Sequence, residues 1–312
     1  MQQYRMLELS YQAPAPAGSA VDVDLTATFE CQGKSKTVKG FYAGDNQYRV
    51  RFYPSLSGEY HYQVSGVVQD QGTLTCEPAE GEHGMVRAAG THFKYDDGQW
   101  FYPFGTTVYA LIHQTPELEA ETLDTLAHAP FHKIRFCVFP KHYQYNHNDP
   151  QWFPFEKTAD GWDVDHPVPA FWDHLDAIMK RLGEMNIQAD LILMHSYDCW
   201  GFAKLTLAQV KTYLEYVVRR YAAFPNLWWS LANEYDLLEY KKEDWEAFAA
   251  QIGEQDPFHH LLSNHHMVIP WDFNNANTTH ICVQTQDVDA VSREINKYQK
   301  PMMVDECRYE GN

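Results

Sequence analysis

Two carboxylates follow mainly apolar runs of the chain, and their positions are suited to acid–base chemistry. The run 227–232 leads to Asn233 and Glu234, and a second run, 301–304, leads to Glu306. Side chains just past the carboxyl ends of buried parallel strands face the place where α/β enzymes put their chemistry. Two carboxyl groups in one cleft are what glycoside hydrolysis requires. The alternative is that Asn233 only caps a helix whose first turn contains Glu234.

Further polar side chains near the ends of apolar runs are candidate substrate contacts. His195, His266 and Gln284 follow such runs, and Arg135 lies within another. Imidazole, amide and guanidinium groups donate hydrogen bonds to hydroxyl or carboxylate oxygens. We predict that these four side chains bind the substrate beside the carboxylates, while His265 is expected to pack or to lie at the surface.

Aromatic residues make up 15% of the chain, and several lie in segments after predicted strands. Such rings can stack on sugars, although they also fill protein cores. Trp200 and Trp271 are predicted to contact the substrate. Two more candidates, for which packing is the stronger expectation, are Trp152 and Trp162.

A metal site is the main competing interpretation. The pairs His259-His260 and His265-His266 supply imidazoles, but neighbouring residues of a strand point to opposite faces. Neither pair therefore chelates alone, and no H-E-x-x-H motif stands beside them. We predict no metal site and no cofactor.

The elements that must position these residues alternate between strand and helix from residue 86 onward, as in a (β/α) barrel. Predicted strands cover 101–107, 133–140, 189–194, 227–232, 261–263, 281–283 and 301–304. Predicted helices cover 115–125, 171–185, 206–224, 245–252 and 288–298, the third opened by a Thr206–Gln209 capping box. A long aromatic loop follows the second strand.

The sequence stops six residues after Glu306, so we expect the last β/α unit of an eight-stranded barrel to be lacking in this chain. Seven strands leave two unpaired edges, which proteins avoid. We expect either a missing C-terminal segment or a homo-oligomer to close the barrel.

Residues 1–85 have the pattern of a β-sandwich, with short strands separated by turn residues. Predicted strands cover 21–25, 48–52, 58–64 and 72–76, and a turn is expected at 41–45. The segment 78–90 has the composition of a linker. The predicted domains are therefore 1–85 and 86–312.

Composition limits the partners of the chain. The formal net charge of −18 argues against binding nucleic acid or an anionic membrane surface, both of which need clustered cations. The six cysteines form no C-x-x-C pair, and the N-terminus has no apolar signal segment. The charge favours a neutral ligand over a strongly anionic one, and the cysteines and the N-terminus favour a cytoplasmic location.

The order of these motifs resembles the clan A glycoside hydrolases, especially those akin to family five. In that resemblance Asn233-Glu234 supplies the residue that holds the sugar 2-hydroxyl and the acid/base, and Glu306 is the nucleophile. Arg135 matches the arginine that supports the nucleophile, and His195 matches a histidine of the substrate cleft.

The resemblance extends to the N-terminal unit, which is similar to the immunoglobulin-like domain that precedes certain bacterial glycosidase barrels. The residues that carry this similarity are 40–42, 48–52 and 58–60. The chain departs from the family pattern at 284–286, where Gln-Thr-Gln replaces the usual histidine and tyrosine. The tryptophan of the eighth strand has no counterpart.

These observations predict a glycoside hydrolase that cleaves a β-linked oligo- or polysaccharide with retention of configuration. Such a mechanism requires carboxyl groups about 5–5.5 Å apart. The alternative is a carbohydrate-binding or inactive fragment of such an enzyme, because the eighth strand is missing.

Overall fold

Seven strands within residues 7–76 form two antiparallel sheets in the computed structural model, which describes residues 1–307. They are β1 (Leu7–Gln12), β2 (Leu25–Cys31), β3 (Lys34–Lys39), β4 (Phe41–Gly44), β5 (Gln47–Phe52), β6 (Gly58–Gly66) and β7 (Asp70–Cys76). The sheet orders are β1-β5-β4 and β3-β2-β6-β7. Phe29 of β2 stacks on Phe52 of β5 with ring centroids 4.0 Å apart. Alternate side chains thus join the two sheets into a β-sandwich.

Two local expectations within the sandwich are wrong. The segment 41–45, expected to be a turn, contains β4, and the turn follows at Asp45 and Asn46, whose φ angles are +50° and +59°. Asp and Asn accept this left-handed conformation more readily than other non-glycine residues do. The segment 21–25, expected to be a strand, contributes only Leu25 to β2. Its backbone instead closes two short turns with 3.0 Å hydrogen bonds.

A small antiparallel sheet follows the sandwich and consists of β8 (Val86–Ala89), β9 (His92–Tyr95) and β10 (Trp100–Phe101). β8 lies inside the segment 78–90 that was expected to be a linker, and Phe101 lies in β10 rather than in the first barrel strand. Phe93 and Phe101 pack on Trp228, with ring centroids 5.1 and 5.9 Å away. Phe93 and Phe101 are therefore packing residues that contact the start of a barrel strand.

Barrel strands and helices then follow in the predicted order to the end of the described chain, and an antiparallel hairpin at 155–167 lies within the loop expected after the second strand. They are β11 (Gly105–Thr107), α1 (Pro116–His128), β12 (Lys133–Cys137), β13 (Phe155–Thr158), β14 (Gly161–Pro167), α2 (Pro169–Glu184), β15 (Gln188–His195), α3 (Leu207–Tyr221), β16 (Leu227–Asn233), α4 (Lys242–Gln255), β17 (Leu262–Ser263), β18 (Ile281–Gln284), α5 (Asp289–Tyr298) and β19 (Met302–Glu306). Short 3-10 turns cover Leu111–His113, Phe202–Lys204 and Tyr235–Leu237. The predicted capping box opens α3.

The barrel strands form a parallel sheet in the order β11-β12-β15-β16-β17 and a parallel pair, β18-β19. The Ser263 hydroxyl donates to the His280 carbonyl at 2.7 Å, so the chain entering β18 lies beside β17. Every residue of β15 and β16 is buried, as expected for strands covered on both faces. The carboxyl ends of the strands meet at one rim. The chain after Cys307, where the eighth strand is expected to be lacking, lies outside the described residues.

Buried charges fix the sandwich to the barrel. Arg51 of β5 donates to Asp176 of α2 at 3.1 Å and to the carbonyl of Arg220 in α3 at 2.8 Å. Arg220 Nε also donates to Asp176, at 3.0 Å. Although burial opposes ionisation, the two guanidinium groups lower the pKa of Asp176 below its usual value. We call Arg51, Asp176 and Arg220 the interface cluster.

Candidate active site

Glu234 stands at the carboxyl end of β16 in an unusual backbone conformation. Its φ and ψ angles are 54° and 60°, in the left-handed region, and its side chain is 4% exposed. This conformation costs a non-glycine residue about 1–2 kcal/mol. Strained residues cluster at functional sites, where the surrounding structure holds them in place. The geometry therefore marks Glu234 as a functional candidate rather than an ordinary first-turn residue of a helix.

Three neighbours hold Glu234. The Tyr197 hydroxyl donates to Oε2, and the Asn233 side-chain amide donates to the same oxygen at 3.3 Å. The backbone N–H of Glu234 donates to Nδ1 of His265 at 3.2 Å. Because Nδ1 accepts this bond, neutral His265 carries its proton on Nε2. Burial lowers the pKa of His265 to about 3, which keeps the ring neutral.

Glu306 ends β19 and lies opposite Gln284 in the parallel pairing with β18. The Tyr109 hydroxyl donates to Glu306 Oε1, and Arg135 Nη1 lies 3.7 Å from the same oxygen. The Tyr109 hydroxyl is also 3.2 Å from the Asn233 Oδ1 atom. The contacts therefore run from Glu306 through Tyr109 and Asn233 to the second carboxylate. The structure brings the two predicted carboxylates to one place.

Arg135 belongs to a group of buried charges inside the barrel. Lys133 Nζ lies 2.5 Å from Asp190 and 3.1 Å from Asp305, and Arg135 Nε lies 3.7 and 3.8 Å from the same two carboxylates. Burial opposes ionisation of Asp305, but Lys133 and Arg135 hold its pKa below the usual value. We call Lys133, Arg135, Asp190 and Asp305 the barrel cluster. Within this cluster, Arg135 places positive charge beside Glu306.

His195 lies beside Asn233 in the pairing of β15 with β16. Its Nε2 is 3.0 Å from the carbonyl of Phe139, and burial lowers its pKa to about 4. The ring is therefore neutral, with Nε2 donating to the carbonyl and Nδ1 left as an acceptor. Nδ1 is buried without a hydrogen-bond partner among the described residues. The structure thus places His195 next to the predicted site.

His266 and His265 lie in different surroundings. His266 is half-buried, and its ring lies 6.2 Å from that of Phe273. His265, expected to pack or to lie at the surface, is the histidine that contacts Glu234. A two-residue strand, β17, precedes them, so its pattern does not determine which ring turns towards the rim.

The two tryptophans predicted to contact substrate differ in accessibility. Trp200 is partly exposed, and its Nε1 donates to Asp149 Oδ1 at 3.0 Å. Trp271 is only 1% exposed, donates to Thr278 at 3.0 Å and packs edge-on against Tyr235. Its ring has no face open to a sugar, so the expected substrate contact of Trp271 is corrected to a packing role.

Two rim carboxylates organise loops. Asp198 accepts backbone N–H bonds from Trp200, Gly201 and Ala203 at 2.8–3.1 Å. Asp236 accepts three from residues 267–269 at 2.7–2.8 Å. Each carboxylate thus fixes a loop that follows a barrel strand.

One of the histidines considered as metal ligands has partners on both ring nitrogens. His260 Nδ1 lies 2.7 Å from Asp256, and Nε2 lies 3.0 Å from the Phe224 carbonyl, so both ring nitrogens are engaged. Within residues 1–307 there is no group of three or more His, Cys, Asp or Glu side chains that could hold a metal ion. In the same residues, no helix has the length and apolar character needed to cross a membrane.

Four residues of the site are not among those the sequence identified: Tyr109, Lys141, Tyr197 and His265. Tyr109 and Tyr197 each stand two residues after a barrel strand, the same signal that identifies the carboxylates. A wider survey of strand ends would have found them. Lys141 directly follows the predicted strand 133–140, and in the structure it stands four residues after the end of β12.

Comparisons with known proteins agree with this arrangement. The family model described as apiosidase-like, catalytic domain, matches residues 87–312. A domain of unknown function, DUF5060, matches residues 1–66. No curated protein matches the sequence.

Solved structures extend the comparison. A Bacteroides vulgatus protein proposed to be a glycoside hydrolase is 37% identical, with a TM-score of 0.94 over 100% of this chain and 65% of that one. This chain therefore spans less than two thirds of that protein. A glycoside hydrolase family 5 protein from the same organism is 17% identical, with a TM-score of 0.56 over 73% of this chain and 54% of that one. A Rhizomucor miehei family 5 mannosidase is 11% identical, with a TM-score of 0.53 over 72% of this chain and 73% of that one. The last two show a shared fold alone.

Proposed function

The chain belongs to the apiosidase-like family and has the barrel of the clan A glycosidases, and from this premise we propose that it hydrolyses O-glycosidic bonds with retention of configuration. Glu234 is the proposed acid/base and Glu306 the proposed nucleophile. The observation that carries the proposal is the contact chain from Glu306 through Tyr109 and Asn233 to Glu234. It supports two carboxylates acting on one bond.

In the first step, an oxygen of Glu306 attacks the anomeric carbon while the glycosidic carbon–oxygen bond breaks. Protonated Glu234 gives its proton to the departing oxygen, so the leaving group departs as an alcohol. Arg135, 3.7 Å from Glu306, favours the ionised nucleophile. The product of this step is a glycosyl ester of Glu306.

In the second step, water replaces the leaving group. Glu234, now a carboxylate, removes a proton from water as the water oxygen attacks the anomeric carbon. The ester bond to Glu306 breaks, and both carboxyl groups return to their starting states. Two displacements at one carbon give net retention of configuration.

The family description points to an apioside as the first substrate to test, within the broader class of β-linked oligo- and polysaccharides. Asn233 is suited to hold the hydroxyl next to the anomeric carbon, because its amide already bonds the acid/base. His195, His266, Gln284 and Trp200 remain proposed substrate contacts. We place the boundary of the two domains near residue 85 and propose that the sandwich mainly supports the barrel through the interface cluster.

The test is hydrolysis of an aryl glycoside panel that includes apiosides, with product configuration followed by NMR. Retention is expected, together with a carboxyl separation of about 5–5.5 Å in a crystal structure. Inversion, or a separation of about 8 Å, would reject the retaining mechanism. Sugar binding without turnover would favour the non-catalytic alternative. Glu234→Gln should slow glycosides with poor leaving groups more than dinitrophenyl glycosides.

A further inference from the structure

Lys141 is a buried cation in the middle of the candidate active site. It is 3% exposed and lies four residues after β12. Its Nζ is 3.2 Å from the ring centroid of Tyr109, 4.3 Å from that of Tyr197 and 4.9 Å from that of Tyr143. A cation over the face of an aromatic ring is attracted to it, by about 2 kcal/mol when water is excluded. The ammonium group thus holds three tyrosine rings around itself.

Two of these three tyrosines are the ones that contact the carboxylates. Tyr109 donates its hydroxyl proton to Glu306, and Tyr197 donates its own to Glu234. One ammonium group therefore touches the ring of the residue that holds the proposed nucleophile and the ring of the residue that holds the proposed acid/base. No other described lysine or arginine has recorded cation–π contacts with both of these tyrosines.

We propose that Lys141 is a positioning residue that holds Tyr109 and Tyr197 in the orientations that set Glu306 and Glu234 for reaction. The proposal rests on the proposed function of the two carboxylates. Lys141 acts through the tyrosines and forms no bond to substrate. Without its ammonium group, the rings lose the charge that attracts their faces, and both hydroxyl groups move off their carboxylates. A displacement of about 1 Å at a reacting group can slow catalysis about 10²-fold.

The charge of Lys141 depends on its surroundings. Burial lowers the pKa of Lys141 to about 8, against the attraction of the Cys137 and Glu234 side chains and together with repulsion from Arg135. The titratable groups that face it are the side chains of Tyr109, Arg135, Cys137, Tyr143, Tyr197, Glu234, His195 and His265. The ammonium is therefore charged below about pH 8 and loses its charge above that value. An arginine in its place stays charged over the whole range.

The test compares Lys141→Met with Lys141→Arg in the full chain. Lys141→Met removes the charge and keeps an unbranched side chain that is one atom shorter, so we expect a loss of about 10²-fold in kcat. Lys141→Arg retains a cation and should stay within about tenfold of the wild type. The matched control is Lys94→Met, which removes a cation 4.0 Å from the Trp100 ring, away from the carboxylates, and should leave kcat unchanged.

A pH profile separates positioning from a general loss of stability. With a dinitrophenyl glycoside, whose leaving group needs no proton, kcat/KM of the wild type should fall above about pH 8, where Lys141 loses its charge. In Lys141→Arg the same limb should move to higher pH. Identical alkaline limbs in the two proteins would overturn the proposal.

A crystal structure of Lys141→Met decides the geometric claim without activity. We expect both tyrosine hydroxyls to have left their carboxylates. Retention of both hydrogen bonds, or a kcat within twofold of the wild type, would overturn the proposal. If the wild type hydrolyses none of the glycosides, the proposed function fails, and this structural comparison still decides whether Lys141 positions the tyrosines.

Discussion

Two clusters of buried charge differ in how completely their hydrogen bonds are made. In the interface cluster, Arg51 donates to Asp176, to the Arg220 carbonyl and to Glu8, and Arg220 donates to Asp176. In the barrel cluster, the guanidinium nitrogens of Arg135 have no hydrogen-bond partner among the described residues. Buried polar groups in proteins are normally paired, so the exception requires a reason.

This difference indicates that the interface cluster stabilises the fold, whereas the barrel cluster supports catalysis. A fully bonded ion network ties the sandwich to α2 and α3. The carboxylates nearest Arg135 lie 3.7–3.8 Å from its nitrogens, and one of them belongs to Glu306. Because Arg135 makes no direct hydrogen bond within residues 1–307, we expect its positive charge to act electrostatically on the neighbouring Glu306 carboxylate. We therefore expect substitutions in the interface cluster to alter stability. Substitutions at the carboxylates beside the barrel cluster should alter turnover.

The largest expected effect is that of Glu306→Gln. The amide keeps the size of the side chain but removes the nucleophile, so kcat/KM should fall about 10⁴-fold or more. The free energy of unfolding should change little. Aryl glycoside kinetics and urea denaturation measure the two quantities. A strongly destabilised but active Glu306→Gln protein would reverse the assignment of the two regions.

Asp176→Asn should give the opposite pattern. Removing the carboxylate leaves Arg51 and Arg220 buried without their counterion, which costs about 3–5 kcal/mol of unfolding free energy. The kcat of the folded fraction should stay at the wild-type value. The control is Asp173→Asn, which removes a half-exposed partner of Arg220 and should cost less. Loss of kcat in folded Asp176→Asn would show that the interface cluster also supports chemistry.

As the pH falls, the stabilising contribution of the buried histidines should be lost before that of the interface cluster. Burial lowers the pKa of His113, His265 and His280 to about 3 and that of His195 to about 4, from about 6.5 in the unfolded chain. The unfolded chain therefore binds more protons below pH 6.5. The contribution of these neutral rings to the free energy of unfolding is fully present above about pH 6.5. It is lost as the pH falls towards the folded pKa values, at up to about 1.4 kcal/mol per pH unit for each histidine.

Urea denaturation at pH 7.5 and 5.5 measures this loss. Phenylalanine cannot bind the proton, so His113→Phe should reduce the pH dependence of the free energy of unfolding by about the contribution of one histidine. The interface cluster behaves differently, because the lowered pKa of Asp176 preserves its contribution down to about pH 4. A stability that is constant from pH 7.5 to 5.5 would contradict the neutral state of the buried histidines.

The smallest expected effect concerns the tryptophans. Trp200→Ala should raise KM about fivefold, equivalent to about 1 kcal/mol, by removing a partly exposed ring near the rim. Trp271→Phe should leave KM unchanged, because Trp271 is buried. Both values come from initial rates with one aryl glycoside. A larger KM change in Trp271→Phe than in Trp200→Ala would reverse their assigned positions.

The sequence predicted the alternation of strands and helices because parallel strands buried on both faces have apolar runs that end abruptly. The same ends identified Glu234 and Glu306, which the structure joins through Tyr109 and Asn233. The residues that contact the two carboxylates were harder to predict from the sequence. The position of a residue after a strand indicates that it reaches the rim, but packing with other loops decides its direction.

The wrong expectations have the same origin. Trp271 follows a strand, yet its indole packs edge-on against Tyr235 and donates to a buried threonine. Lys141 could not be identified, because its function depends on tyrosines at positions 109 and 197, distant in sequence. His265 and His266 are adjacent, and only the fold shows which of them reaches Glu234. Local patterns predicted elements well, while contacts between loops needed the structure.

The most direct test of the account is labelling with a mechanism-based 2-deoxy-2-fluoro glycoside, followed by mapping of the modified peptide by mass spectrometry. The fluorine slows hydrolysis of the glycosyl ester, so the nucleophile remains covalently marked. We predict modification of Glu306 in the wild type and none in Glu306→Gln. Modification of any other residue would contradict the assignment of the two carboxylates.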